Sequence, residues 1–572
     1  MPRPYLSWSI AQLEAEFERA QDAGDSAAVG RVFYELEFRS TTKANALRQA
    51  ADQFLNGVQA TAKPKSRAST SSQKSSDERK SNKNRQRSTS RLNPTDEQQQ
   101  VIDQFKRGDS LKINAYAGTG KTSTLELLAH STAKRGQYIA FNKSIVQEAT
   151  EKFPNSVNCA TTHGIAFRAT PSAYRNNSSK MTGKLNANQL AETLNLKRWQ
   201  IDKLHSLQPR SQGYLILETL RRFMQSPDIS LKGEHVPRHG SLLSAPDTTM
   251  KAVTEFALHA ANHVWDRMKE ASDSIPLGHD GYLKLWALSE PKIAVDFILL
   301  DEAQDTNPVV LDVLCKQSAQ MVYVGDKYQQ IYEWRGAINA MEKIDTRHTT
   351  YLTTSFRFGP KIAEAASRLL ALLDEKRPIK GNSGIASRIG PVEPQTILAR
   401  TNASTISAII ETLDAGKSPH LVGGTDELMS MLQGVQDLKE GRQSTVPDFF
   451  GFEKWEQVVE FSKSGEGDHL QSFVNLVEAR GERQLMWALN RTVDEERGNV
   501  TISTAHKAKG REWKTVKLMD DFLRSQPGKP KSNGAHGSNG HDPAELRLLY
   551  VALTRAKEAI EVPPTVVSLL SR

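Results

Sequence analysis

The sequence predicts an α/β protein built on parallel sheets, and three segments carry this prediction. In each, a short apolar run ends in a polar or glycine-rich loop: LKINAYAGTGKT (111–122), VDFILLDEAQD (295–305) and MVYVGDKYQQ (321–330). Parallel strands covered on both faces have near-continuous apolar runs, and ligands bind at their carboxyl ends. The pattern therefore predicts strand–loop–helix units with functional residues in the loops.

Composition excludes several classes of protein. A chain of 572 residues is long enough for about three to five domains, and 38% apolar with 25% charged residues suits packed domains. The two cysteines, Cys159 and Cys315, exclude a disulfide scaffold and a four-cysteine zinc site. No apolar run approaches the roughly 20 residues of a membrane span, so we expect an intracellular protein without a membrane partner.

The N-terminal part has two segments of different character. In residues 1–60, Leu13, Phe17 and Ala20 lie at helical spacing, which predicts a small helical module for packing or for docking a protein partner. Residues 61–91 hold ten Lys or Arg against two acidic residues, almost the whole net charge of +9. This Ser-rich tract cannot bury enough surface to fold and is predicted to be a disordered linker. It serves as a spacer or as an electrostatic contact to nucleic acid.

The segment after residue 111 has the pattern of a phosphate-binding loop. Glycines let backbone N–H groups approach phosphate oxygens, and the following helix N-terminus adds a partial positive charge. Lys121 would reach the β- and γ-phosphates, and Thr122 would bind Mg²⁺. Ala115 stands where the general pattern has glycine. The predicted nucleotide-binding residues here are Ala117, Gly118, Thr119, Gly120, Lys121, Thr122 and Ser123.

Two later strand ends supply the rest of a nucleotide site. Asp301 would hold Mg²⁺, and Glu302 would polarise an attacking water as general base. Gln329 follows the next strand and could sense the γ-phosphate or that water. Trp334 beside Arg335 is either a buried core residue or a platform on which a base stacks.

These motifs occur in the order and spacing of superfamily 1 helicases of the UvrD/Rep type, which the chain resembles over residues 92–560. The wording of AFNKSIVQEATEKFP, HDGYLKLW (279–286) and HKAKGREW is most similar to the F-box DNA helicase branch, although no F-box is recognisable in residues 1–60. The resemblance implies a role for further residues. Gln98 would contact adenine, Glu512 would hold the ribose, and Arg357 and Arg555 would act as arginine fingers. The residues expected to contact DNA are Thr162, His163, Trp334, Arg400, Asn402 and His506.

The resemblance also implies an α/β fold with two RecA-like P-loop domains, each interrupted by a mainly helical insertion. The expected first domain comprises residues 92–170 and 256–348, with an insertion at 171–255. The expected second domain comprises residues 349–410 and 496–572, with a short insertion at 411–495.

The function implied is an ATP-dependent DNA helicase that uses ATP and Mg²⁺, moves 3′→5′ on single-stranded DNA and unwinds tailed duplexes in repair, recombination or replication. A monomer is sufficient for this chemistry, because both arginines come from one chain. The expected location is the cytoplasm, with the nucleoid, if the protein is bacterial or comes from a phage, and the nucleus if it is eukaryotic. Two alternatives stay open: a translocase that removes bound proteins without unwinding, and an ATP-gated DNA-binding recruitment factor.

Overall fold

A computed structural model describes residues 10–22, 25–36, 47–48, 50–51, 54, 93–203, 205–331, 339–444, 446–464, 467–523 and 541–571. Contacts divide the chain into two units, Met1–Ser90 and Arg91–Arg572. The linker predicted at 61–91 lies outside the described residues.

The first unit contains two helices, α1 (Ile10–Asp22) and α2 (Ser26–Leu36). Leu13, Phe17 and Ala20 of α1 are buried against Val29 and Val32 of α2. The helical spacing read from the sequence therefore marks the packed face of this module.

The second unit contains two six-stranded sheets and a two-stranded ribbon. The first sheet and the ribbon are formed by β1 (Leu111–Ala115), β2 (Gly136–Ala140), β3 (Val157–Thr161), β4 (Trp199–Gln200), β5 (Ser206–Leu207), β6 (Phe297–Leu300), β7 (Gln320–Gly325) and β8 (His348–Leu352). The second sheet is formed by β9 (Arg388–Ile389), β10 (Thr396–Ala399), β11 (Pro419–Leu421), β12 (Val500–Thr504), β13 (Trp513–Leu518) and β14 (Ala556–Glu561).

Both large sheets are entirely parallel. The strand order is β3-β2-β6-β7-β1-β8 in the first sheet and β11-β12-β10-β13-β14-β9 in the second, and β4 pairs with β5 alone. The α/β class with two parallel sheets is confirmed.

Helices cover the sheets and form the insertions. They are α3 (Asp96–Lys106), α4 (Lys121–His130), α5 (Lys143–Lys152), α6 (Thr162–Ala169), α7 (Ser172–Arg175), α8 (Ser178–Thr182), α9 (Ala187–Thr193), α10 (Pro209–Gln225), α11 (Asp247–Lys269), α12 (Gly278–Leu288), α13 (Pro308–Cys315), α14 (Ala340–Lys343), α15 (Pro360–Leu372), α16 (Asn402–Asp414), α17 (Asp426–Lys439), α18 (Trp455–Phe461), α19 (Asp468–Arg480), α20 (Glu482–Leu489), α21 (Pro543–Leu553) and α22 (Pro564–Ser571). No described helix combines the length and the apolar character that crossing a membrane requires.

Alternating side chains of each strand enter different cores. In β6, Phe297 and Leu299 pack with α3 and α4, whereas Ile298 and Leu300 pack with the helices of the first insertion. This arrangement follows from the period of two in a strand that is covered on both faces. The first insertion is therefore part of the same hydrophobic core as the sheet.

Three expected boundaries differ from the structure. The boundary after 348 is too early, because β8 pairs with β1 in the first sheet. The insertion expected to begin at 411 begins later, because β11 pairs with β12 in the second sheet. The end of the first insertion at 255 falls inside α11, which continues to Lys269. The first two errors arose because strand pairing between distant segments is not visible in a local pattern.

Candidate nucleotide and DNA sites

Four neighbouring strands of the first sheet bring the predicted nucleotide residues together. The strands β6, β7, β1 and β8 lie side by side, and all run in the same direction. The segments beginning at Asp301, Asp326, Tyr116 and Thr353 follow their carboxyl ends in that order. Parallel strand ends meet at one edge, which is where ligands of such sheets bind.

The phosphate loop has the backbone that its glycines allow. Gly118 and Gly120 have φ angles of 75° and 77°. A Cβ on Gly118 would also lie 2.5 Å from the Ser355 hydroxyl oxygen. Ala115, by contrast, is an ordinary residue of β1 opposite Leu352, so glycine is not needed there. The departure from the general pattern therefore has no consequence for the loop's shape.

The residues expected to hold Mg²⁺ lie together at the N-terminal end of α4. The Thr122 hydroxyl donates to Asp301 Oδ2 at 3.0 Å, and the Tyr138 hydroxyl donates to the same oxygen at 2.7 Å. Burial and the charge of Glu302 raise the pKa of Asp301. A buried carboxylate beside a hydroxyl is a donor set that suits Mg²⁺, and a bound cation would oppose that upward pKa shift. The residues present therefore fit the metal.

Glu302 is held in a strained conformation next to Lys121. Its φ angle of 51° is left-handed, which is uncommon for a residue other than glycine. Gln304 Nε2 donates to Glu302 Oε2 at 2.6 Å, and Lys121 Nζ lies 3.4 Å from Glu302 Oε1. Burial opposes ionisation, but Lys121 and Lys509 overcome it and lower the pKa of Glu302. The carboxylate is thus kept ionised while its side chain stays 30% exposed to the cleft.

Gln329 is oriented by contacts from both sheets. Its Nε2 donates to Asp326 Oδ2 at 2.8 Å. Its Oε1 accepts from Arg555 Nη2 at 3.4 Å. Because Arg555 precedes β14 of the second sheet, this long hydrogen bond connects the two sheets at the predicted γ-phosphate sensor.

The two predicted arginine fingers lie at the same junction. Arg555 is 1% exposed and donates to Val551 O at 2.9 Å and to Arg511 O at 3.2 Å. Burial, together with the charge of Arg357, lowers the pKa of Arg555 to about 9, so it remains charged at neutral pH. Arg357 donates to Glu512 Oε2 at 2.6 Å and to the Thr554 carbonyl at 3.2 Å.

Lys509 is a cross-sheet residue to which sequence reasoning gave no role. It follows β12, and its ammonium contacts Asp305 Oδ2 at 2.5 Å and the Gln329 carbonyl at 2.6 Å. Burial raises the pKa of Asp305 to about 6, although Lys509 opposes the shift. The signal was present in HKAKGREW, where the second lysine lies between the predicted His506 and Glu512.

Two residues expected to contact the nucleoside are held by protein contacts. Gln98 Oε1 accepts from the Thr95 N–H at 3.0 Å, and its Nε2 donates to the Thr124 hydroxyl at 3.0 Å. Gln98 therefore braces the first turn of α4. Glu512 binds Arg357 and also Lys557, whose Nζ lies 2.5 Å from Oε1. The predicted adenine and ribose contacts stay predictions.

A separate group of predicted DNA residues follows β2 and β3 of the first sheet. Thr162 and His163 begin α6 directly after β3. Phe141 follows β2 and is 72% exposed, a feature that sequence reasoning missed. The register pairs Ala140 with Thr161, so Phe141 and Thr162 are neighbours at this edge. The sequence signal that could have identified Phe141 is an aromatic residue between the apolar run YIA (138–140) and the polar residues that follow it.

The HDGYLKLW segment contacts this group. His163 is 45% exposed, and its Nε2 lies 3.7 Å from Asp280 Oδ1. The rings of His163 and Tyr282 meet edge to face with centroids 6.1 Å apart. Lys284 is fully buried and donates to the Ser226 and Asp228 carbonyls at 2.8 and 2.5 Å. The segment is thus a core helix with one end beside the predicted DNA residues.

The remaining predicted DNA residues have mixed outcomes. The Arg400 guanidinium forms a two-pronged ion pair with Glu545, so its charge is paired within the protein in this structure. Asn402 donates to the Met431 sulfur at 3.4 Å, so its amide is also used internally. His506 is partly exposed on the turn after β12. Trp334 lies outside the described residues.

Comparison with known proteins agrees with this geometry. The UvrD/REP helicase N-terminal domain family matches residues 279–348, and the UvrD-like helicase C-terminal domain family matches residues 426–562. The chain is 30% identical to F-box DNA helicase 1 of Gallus gallus over 522 residues, 84% of this chain and 50% of that one. It is also 30% identical to F-box DNA helicase protein 1 of Schizosaccharomyces pombe over 525 residues, 83% of this chain and 58% of that one.

The chain thus spans about half the length of the curated relatives it matches. Among solved structures, a PRRSV helicase aligns at 12% identity over 81% of this chain and 54% of that one, with a TM-score of 0.26. Two matching domain families, two relatives aligned over most of the chain and two parallel sheets joined at a phosphate loop agree with each other. The chain belongs to the UvrD-like family of superfamily 1 helicases.

Proposed function

We propose that this chain is an ATP-dependent DNA helicase of the UvrD/Rep type that couples ATP hydrolysis to 3′→5′ movement on single-stranded DNA. The observation that supports it most is the meeting of the two sheets at Gln329. Arg555 approaches this amide from the second sheet, and Lys121, Asp301 and Glu302 stand on neighbouring strand ends of the first. A binding protein without turnover would not need this complete catalytic set.

Each residue has a task that its surroundings suit. Lys121 and the loop N–H groups would bind phosphate oxygens. Thr122 and Asp301 would hold Mg²⁺, which neutralises charge on the β- and γ-phosphates when it is bound. Glu302, kept ionised, would accept a proton from the attacking water. Arg357 and Arg555 would stabilise the negative charge that develops in the transition state, because guanidinium groups pair with phosphate oxygens and stay charged.

The placement of the cations couples chemistry to motion. Arg555 and Lys509 reach the first sheet's residues from the second sheet, so closure of the cleft completes the site. The proposed DNA contacts Phe141, Thr162 and His163 lie at other strand ends of the first sheet. Opening and closing would therefore move one set of DNA contacts relative to the set near His506. Alternation between the two states would advance the protein along a strand.

The substrate proposed is single-stranded and tailed duplex DNA, in repair, recombination or replication. The names of the two relatives, both DNA helicases, support the substrate class. The 3′→5′ direction follows from likeness to the family. The protein would act inside the cell where DNA is found, and the helical module before the basic tract would bind a protein partner.

The first experiment measures ATP hydrolysis with and without single-stranded DNA. We expect strong stimulation in the wild type and its loss in Lys121→Ala and Glu302→Gln. Asp312→Asn is the control, because this partly exposed carboxylate of α13 pairs with Lys316 just after the helix and belongs to none of the nucleotide loops. DNA binding without turnover in the wild type would refute the helicase proposal in favour of a recruitment factor.

A second experiment compares 3′-tailed and 5′-tailed duplexes. Unwinding of the 3′-tailed substrate alone supports the proposed direction. Stimulated hydrolysis with protein displacement but no strand separation would instead identify the translocase alternative.

A further inference from the structure

Tyr550 lies where the two sheets meet but belongs to none of the catalytic roles above. It stands near the end of α21, in the segment that leads to Arg555 and β14. Its side chain is fully buried, with 0% exposure. The ring packs near Tyr328 of the first sheet's loop, with centroids 6.5 Å apart and planes nearly perpendicular. The residue is therefore an inter-sheet contact in the interior.

The Tyr550 hydroxyl connects the phosphate loop to the loop after β7. It accepts a hydrogen bond from the Ala117 N–H at 3.1 Å. It also lies 2.9 Å from Asp326 Oδ2. A phenol carries one proton, so the hydroxyl accepts from Ala117 and donates to Asp326. The direction of both hydrogen bonds is fixed by the atoms present.

Asp326 passes this restraint on to the predicted sensor. Its Oδ1 accepts from the Tyr328 N–H at 3.1 Å, and its Oδ2 accepts from Gln329 Nε2 at 2.8 Å. With its Nε2 committed to Asp326, Gln329 presents Oε1 to Arg555. A continuous set of hydrogen bonds therefore runs from the phosphate-loop backbone through Tyr550 and Asp326 to Gln329 and Arg555.

We propose that Tyr550 is a positioning residue for ATP hydrolysis, whose hydroxyl sets the shape of the phosphate loop and the orientation of Gln329 only when the two sheets are together. This inference rests on the proposed ATPase. It adds a second connection between closure and chemistry, besides the arginine fingers. Tyr550 does not touch the reacting atoms and acts through Ala117 and Asp326.

Tyr550→Phe tests the hydroxyl while keeping the buried ring. The change leaves the Ala117 N–H without its acceptor and Asp326 without one donor in a buried place. Leaving a buried polar group without a hydrogen bond costs about 1–3 kcal/mol. A cost of that size in the activation barrier lowers a rate about tenfold or more. We expect kcat for DNA-stimulated hydrolysis to fall about tenfold or more and KM for ATP to change less than kcat does, because Lys121 and the glycines of the phosphate loop remain whereas the orientation of Gln329 is lost.

Tyr328→Phe is the matched control. It removes another buried tyrosine hydroxyl at the junction of the two sheets, one that donates to Glu375 at 3.0 Å instead of to Asp326. We expect its kcat to stay within about threefold of the wild type. If both variants lost activity equally, the effect would be a general weakening of the interface and the positioning role would be wrong.

A double-mutant cycle with Asp326→Asn tests the route. If Tyr550 acts through Asp326, the double variant loses little more kcat than the worse single variant; independent, multiplicative losses would contradict the inference. Thermal unfolding of each variant reports whether it is folded. A wild type without DNA-stimulated turnover would refute the proposed function itself, whereas an active wild type with an equally active Tyr550→Phe would refute only the role of Tyr550.

Discussion

Arg555→Gln separates the chemistry of the arginine from its structural role. Glutamine removes the charge but keeps an amide that can donate to some of the same acceptors. In the structure the guanidinium donates to the Val551 and Arg511 carbonyls inside its own domain, and to Gln329 across the cleft only at 3.4 Å. Most of its hydrogen bonding is therefore internal, and most of its proposed catalytic value is charge.

The two effects differ in size. Imperfect replacement of the internal hydrogen bonds costs about 1–3 kcal/mol of folding free energy. Loss of an arginine finger lowers kcat roughly 10³–10⁵-fold in well-studied phosphoryl-transfer enzymes, about 4–7 kcal/mol in the barrier. Because the second effect acts on the rate of folded molecules, it remains visible after correction for any unfolded fraction.

The assay is single-turnover ATP hydrolysis with saturating single-stranded DNA, with a denaturation curve for each variant. We expect Arg555→Gln to lower the rate at least about a thousandfold while the folded fraction stays high. Arg555→Lys keeps the charge but not the planar guanidinium group, so its hydrolysis rate should lie between those of the wild type and Arg555→Gln. A rate for Arg555→Gln within about threefold of the wild type would refute the assignment of Arg555 as a finger.

Three further outcomes are expected from the same structure. Arg400→Ala breaks a partly buried ion pair and should lower the free energy of unfolding by about 3 kcal/mol, with single-stranded DNA affinity unchanged in a binding titration; weakened binding would restore the DNA-contact prediction. Phe141→Ala should weaken that affinity by about 1–3 kcal/mol, as loss of one stacked base would, and an unchanged affinity would exclude stacking on this ring. Asp305, with a folded pKa of about 6 against a usual 3.8, favours the protonated form in the folded protein. Its contribution to stability is therefore present below pH 4 and is lost as the pH rises to about 6, a change of about 3 kcal/mol. In denaturation from pH 4 to 7, the free energy of unfolding should fall by about 3 kcal/mol more in the wild type than in Asp305→Asn, because other buried carboxyls such as Asp301 titrate in both proteins.

The parts of the site that were predictable are those whose function depends on local sequence. A glycine loop between an apolar strand and a helix fixes the positions of Gly118 and Lys121, and acids after an apolar strand fix Asp301 and Glu302. The partners of Arg400 and Glu512 could not be predicted, because Glu545 and Arg357 lie 145 and 155 residues away in the chain. A charged residue at a strand end has the same local appearance whether it faces a ligand or another side chain.

The strand order explains why nucleotide and DNA contacts separate within one sheet. Along the chain, the phosphate loop comes first, the proposed DNA residues follow, and the acidic motif comes after the insertion. In the sheet, β6 and β7 insert between β2 and β1, so the carboxyl ends of β6, β7, β1 and β8 form the nucleotide edge and those of β2 and β3 form the DNA edge. Asp301, directly after β6, is the point of contact between the two edges, since β6 pairs directly with β2. Its Oδ2 accepts from Tyr138 of β2, three residues before Phe141, and from Thr122 of the phosphate loop. A shift of β2 on DNA binding would therefore reach the proposed metal-holding oxygen through a single hydrogen bond.

By this reasoning Tyr138→Phe should reduce DNA stimulation of hydrolysis more than the basal rate, and an equal reduction of both would show that this hydrogen bond supports only the architecture of the site.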